Sequence, residues 1–116
     1  MRKAMSATCL ILGLSSAAAL AHHGWGSYDA AKSMTIESKV EGLEWQNPHA
    51  MLMVEHEGAM WHVTLAPLSR LQARGVSRGM LEPGATVAAE GHPSKRNPNE
   101  MRAERITVGG ETFEMR

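Results

Sequence analysis

All six histidines of this 116-residue chain lie after residue 21, as do seven of its nine methionines. Imidazole is a ligand for copper, nickel and zinc, and the methionine thioether selects Cu(I). The two residues at the head of this set, His22-His23, offer the most specific chemistry. If the chain is cut after Ala21, His22 becomes the first residue, and its free α-amine and its ring can grip one ion as a pair. A third nitrogen from His49, His62 or His92 would complete a T-shaped site. Such a nitrogen set in a tetragonal arrangement favours Cu(II), which also heads the divalent affinity order. A cut one residue earlier leaves Ala21-His22-His23, with histidine third, a pattern that wraps Cu(II) or Ni(II) through backbone amides. The competing reading is a solvated pair of histidines on an extended arm.

The second candidate is a strand face. Residues Ala50–Glu55 and Met60–Leu65 read as two strands around a tight turn at Glu57-Gly58. That turn sets His56 against Ala59, Val54 against Trp61, Met53 against His62 and Leu52 against Val63. Because side chains alternate across a strand, Ala50, Leu52, Val54, Trp61, Val63 and Leu65 share the core face. His49, Met51, Met53, Glu55, Met60, His62 and Thr64 share the other. A slip of one residue would mix the two sets, which burial resists. Opposed Cβ atoms stand roughly 4.5–5.5 Å apart, close enough for one ion to touch both Met53 and His62. The competing reading is packing, since methionine fills irregular gaps and suits adaptable contact surfaces. His49 could ligate an ion or cap its loop through hydrogen bonds. His92, before Pro93, could ligate or simply serve a turn. His56 sits beside the hairpin turn, near the rim. Trp25 and Tyr28 would dock the arm onto the domain or line a ligand groove, and Met60 would belong to the same ligand or partner face.

These residues need a compartment and a frame. Arg2 and Lys3 precede an uncharged stretch from Ala7 to Leu20, and Ala19-Leu20-Ala21 supplies small residues at a peptidase site. This is the pattern of a cleaved export signal over residues 1–21. The stretch is short for a membrane span, which needs roughly 20 apolar residues. The only cysteine, Cys9, lies inside the signal, so residues 22–116 have no disulfide, thiolate metal site or cysteine nucleophile. All 12 acidic residues remain and two basic ones leave, so the mature part is slightly acidic. Nucleic-acid capture wants a basic face, and none is present. No G-x-S-x-G, phosphate loop or H-E-x-x-H appears.

Residues 22–33 lack any period and read as an N-terminal arm. Met34–Val40 alternates as a strand. Gly42 then interrupts, and Leu43 and Trp45 resume one step out of phase, which predicts a β-bulge at that glycine. Asn47-Pro48 breaks the strand. After the hairpin, Pro67 to Gly75 reads as a short helix with Pro at its start and Gly just past its end. Pro83-Gly84 turns the chain into a strand, Thr86–Gly91. Pro93–Asn99 is a polar loop, Met101–Val108 alternates again, and Gly109-Gly110 turns towards Phe113. The fold class is therefore mainly β. The order predicts a small OB-like barrel of five to six strands over residues 34–116, with one short helix between strands 3 and 4.

The motifs resemble a group of small uncharacterised bacterial periplasmic proteins. In that group an export signal leads into an Ala-His-His start with an aromatic nearby, here Ala21-His22-His23-Gly24-Trp25. A Trp-x-Asn-Pro-His segment follows, here Trp45-Gln46-Asn47-Pro48-His49. A Pro-Gly turn (Pro83-Gly84) and a Gly-His-Pro strand end (Gly91-His92-Pro93) complete the pattern. His22, His23, His49 and His92 match it, and His62 does not. The resemblance implies an envelope location and a domain of unknown function, and no activity. The expectation is a periplasmic binding or carrier module with copper as its favoured ligand. The alternative is a metal-free structural or protein-interaction module of the envelope. Neither reading involves nucleic acid, or membrane insertion once the signal is removed.

Overall fold

In the computed structural model, residues 24–116 are described. The export segment and the histidine pair 22–23 lie outside them. The first strand, β1 (Met34–Glu44), follows the alternation of its sequence and buries Ile36 and Val40 completely or nearly so. Its pairing with β2 (Met51–His56) slips between Val40 and Gly42. This is the bulge that the phase change predicts, and it lets Leu43 and Trp45 turn back towards the core.

Strand β3 (Ala59–Thr64) pairs with β2 in the expected register, with Met53 opposite His62 and Val54 opposite Trp61. Glu57 and Gly58 both hold positive φ, 51° and 79°. Two such residues make the turn whose twist matches that of the flanking strands. Ala50, Leu52, Val54, Val63 and Leu65 are buried, as the core face requires. Trp61 is only half-buried, because it lies near the hairpin end against the edge of the His56 ring, 5.6 Å between centroids.

Helix α1 (Leu68–Ala73) lies within the expected span, with Pro67 at its N-cap and Arg74 closing its C-terminus through a backbone bond to Arg70. Leu71 points into the core, and a 3-10 turn at Arg78–Leu81, unannounced by the sequence pattern, adds Leu81. Strands β4 (Thr86–Pro93), β5 (Glu100–Val108) and β6 (Glu111–Glu114) follow. β4 runs two residues beyond the expected Gly91.

The strand order is β3-β2-β1-β4-β5-β6, and β3 also pairs with β5. That extra pairing is parallel and joins His62 to Glu100, Val63 to Met101 and Thr64 to Arg102. It closes β1 to β5 into a barrel, with β6 as an additional strand on β5. Five strands closed in this order, with a helix between β3 and β4, form an OB-like barrel. Its interior is filled by Ile36, Leu52, Leu65, Leu71, Met101 and Ile106, all fully buried.

Candidate functional site

The arm before β1 is seated on the outside of the barrel, and backbone and side chains both hold it. Tyr28 forms an antiparallel bridge with Ser94. The Asp29 amide donates to the Pro93 carbonyl at 2.9 Å, and the Lys95 amide donates to the Ser27 carbonyl at 3.0 Å. The Arg102 and Arg116 guanidiniums stand 4.2 and 3.8 Å from the centre of the Trp25 ring. Both distances lie well inside the range for cation–π attraction. The same ring meets Tyr28 and His92 edge-on. The Tyr28 hydroxyl reaches Thr64 Oγ1 at 3.5 Å, a long bond.

This seating accounts for two buried polar residues on a face that would otherwise be wet. Thr64 and Arg102 are paired neighbours on the outer face, each only 6% exposed. Burial raises the Tyr28 pKa above its ordinary value and lowers that of Arg102 below its own. Trp25 and Tyr28 thus dock the arm, and Tyr28 also lines a groove.

His92 belongs to the arm's anchorage. Its Nδ1 lies 2.7 Å from the Lys32 carbonyl, and its Nε2 lies 3.1 Å from Glu104 Oε1. A carbonyl only accepts, so Nδ1 carries a proton. Glu104 also takes two bonds from Arg116, at 2.7 and 2.9 Å. The sequence reads His92 as a turn histidine or a ligand. It stands at the strand end that Gly91-His92-Pro93 marks, with both ring nitrogens engaged, and an ion there would have to displace Lys32 and Glu104.

Burial alone would raise the Glu104 carboxyl, but the hydrogen bonds and charge of Arg116, then those of His92, outweigh it and hold its pKa below the ordinary glutamate value. A depressed carboxylate stabilises the fold above its unfolded-state pKa and ceases to as pH falls through its folded-state pKa. The thermal midpoint should therefore fall on acidification below the ordinary glutamate range. The Glu104→Gln variant should lie below the wild type at neutral pH and converge with it in acid. A constant gap between the two melting curves across that range would contradict the assignment.

A cleft of about 500 Å³ opens beside the arm. Its volume is in the range of small-molecule sites. The loop between β1 and β2 contributes Gln46, Asn47, Pro48 and His49. The loop between β4 and β5 contributes Ser94, Arg96 and Asn97. Ser27 and Tyr28 of the arm form a wall, and the strands supply Glu44, Met51, Thr64 and Glu100. OB barrels take their ligands at these two loops and the adjoining face of strands 2 and 3.

Local bonds shape both loops. Ser94 Oγ accepts from the amides of Arg96 and Asn97, and Asn97 Nδ2 donates to Glu100 Oε2 at 3.2 Å. Asn47 Oδ1 accepts from the Leu68 amide, which ties the first loop to the start of α1.

Of the residues singled out in the sequence, His49, Met51 and Tyr28 come together at this cleft. Met53 and His62 face each other on the neighbouring stretch of the hairpin but do not line it. Met60 is farther along the same strand and 50% exposed. Among the described residues no cluster of three or more His, Cys, Asp or Glu side chains is placed to hold a metal ion. The patterns leave out the Arg102–Arg116–Glu104 group and the loop residues Gln46, Arg96, Asn97 and Glu100. The one clue to the first group is a pair of aromatics on the arm that need a partner on the outer face.

The family model that matches this chain describes a family of unknown function, DUF6152, and spans residues 10–102. The chain belongs to that family. The DUF6152 match includes all three histidine-bearing motifs and both loops of the cleft, and it ends within β5. No curated protein matches. Among solved structures, this DUF6152 chain is similar to one in the crystal structure of the S. pombe Stn1–Ten1 complex, at 15% identity and a TM-score of 0.49. The likeness covers 68% of this chain and 59% of that one, so the chain spans less than two thirds of its counterpart's length. The OB assignment rests on strand order and on the β3–β5 closure.

Proposed function

We propose that this DUF6152 protein is a small periplasmic binding or carrier module, exported by its N-terminal signal, with copper as its favoured ligand. The observation that carries the reading is the seated arm. Ser27 and Tyr28 share a cleft with His49 and Met51, and the same arm leads back to His22 and His23. Two residues lie between His22 and Trp25, so three peptide links span at most about 10 Å. A histidine start tethered this closely has a higher local concentration at the barrel than a free peptide has. In this reading the amine and ring of His22 anchor Cu(II), with His23 beside them, and His49 is the next ligand. Met51, Met53 and His62 form a softer site suited to Cu(I). His92 serves the arm's seating before it serves a metal.

The test is a Cu(II) titration of the secreted protein with its native N-terminus, followed by EPR and calorimetry, beside a sample with one extra residue before His22. The native start should bind at least about tenfold more tightly than the extended one, because the amine–ring chelate is lost on extension. Affinity in both samples no better than that of a short His-His peptide would overturn the copper reading. In that event the exposed Met60 and the neighbouring methionine face favour the second reading, a metal-free module that docks an envelope protein through an adaptable surface.

A further inference from the structure

We infer that the cleft between the two loops and the arm is a binding site for a neutral, hydroxyl-rich ligand of the saccharide class. The walls of the cleft mix hydrogen-bond donors and acceptors. Glu44 and Glu100 are acceptors, Arg96 is a donor, and Gln46, Asn97 and Ser94 do both. A sugar hydroxyl also donates and accepts, so adjacent hydroxyls match a wall that mixes the two roles at short range. Among the described residues, the side chains of Glu44, Gln46 and Arg96 make no hydrogen bond or ion pair, so they remain available to a ligand.

Charge and shape narrow the class. Two carboxylates face one guanidinium in the lining, so a phosphate-rich or other polyanionic ligand meets net repulsion. Pro48, Met51 and the Tyr28 ring set apolar surface between these polar groups, which suits the mixed faces of a sugar ring better than a wholly apolar ligand. An extended peptide binds most readily by adding a strand to an exposed sheet edge. At the hairpin residues that line this cleft there is no such edge, because Met51 of β2 is paired with both β1 and β3, and Thr64 of β3 with both β2 and β5. The cleft's position at the two loops where OB barrels hold oligosaccharides and oligonucleotides agrees with the first and, on charge, not with the second.

The inference uses no metal and no residue before Ser27, so it stands apart from the copper reading. The test is a two-dimensional amide NMR titration of the secreted protein in EDTA, with four probes: chitotriose, maltotriose, trialanine and a short oligothymidylate. Chitotriose or maltotriose should give saturable shifts confined to residues 46–49 and 94–97. A preference for chitotriose would point to an acetylated envelope glycan as the source, and equal response to free sugars. The double variant Glu44→Ala, Gln46→Ala should weaken that binding roughly tenfold with an unchanged thermal midpoint, since both side chains are exposed. Saturable shifts with trialanine or oligothymidylate alone, or no saturable shift with either saccharide, would overturn the assignment.

Discussion

Replacing Gly91 by alanine should cost at least about 3 kcal/mol of stability, the upper end of what overpacking a rigid site costs. A Cβ at this position would sit 1.9 Å from the Arg102 carbonyl oxygen, 2.8 Å from its carbon and 2.9 Å from the Ala103 Cα. These are backbone atoms and cannot swing aside. The close approach arises from the bulge between Glu90 and Gly91, where β4 is pressed onto β5. β5 cannot yield either, because the same segment is bonded on its other side to β3. Gly42→Ala is the natural comparison, since Gly42 stands at the other bulge. Its Cβ would come within 2.5 Å of Met53 Cε, the far end of a flexible side chain that can rotate away. That variant should lose less than about 1 kcal/mol. Urea denaturation of both variants measures the contrast. Near-native stability of Gly91→Ala would mean that β4 and β5 do not approach this closely.

The second large effect is expected for Trp25→Ala, at about 2 kcal/mol, from the loss of two cation–π contacts in a half-buried setting. The change removes the ring on which Arg102 and Arg116 rest and takes away the edge contacts to Tyr28 and His92. The arm should then loosen before the barrel does. Hydrogen exchange reads this directly. The amides of Asp29 and Lys95, bonded between arm and barrel, should lose protection, while the Leu52 and Val63 amides in the central hairpin should keep theirs. Trp25→Phe, which retains a ring, should fall between. Unchanged protection at Asp29 and Lys95 in Trp25→Ala would show that the backbone bonds alone seat the arm.

The parts of this structure that are legible in the sequence are those set by neighbours along the chain. The hairpin register follows from strict alternation on both sides of Glu57-Gly58, because a slip would expose Leu52 and Val63. The bulge at Gly42 follows from a change of phase at a glycine. The helix is marked by Pro67 and Gly75 at its two ends. What escapes the sequence depends on pairs far apart. Nothing local to Arg102 says that an aromatic from residue 25 will cover it, and alternation alone would leave it in water. His92 follows a glycine and precedes a proline, which reads as the end of a strand. The bulge at Gly91 leaves β4 itself in phase; its slip falls on β5, where the buried positions pass from Met101 and Ala103 to Ile106 and Val108. The candidate site divides the same way. His49 and Met51 stand out by residue type, whereas Gln46, Arg96, Asn97 and Glu100 are ordinary loop and strand-end residues until the barrel closes and sets their two loops side by side.

The arm's seat also depends on the closure of the barrel. Tyr28 rests on Thr64 of β3, and Trp25 rests on Arg102 of β5. Those two residues are partners across the parallel ladder that closes the barrel. The part of the seat that receives the two aromatic rings is therefore complete only when that ladder is formed. The residues that precede every strand lie across the seam where the barrel closes, like a strap.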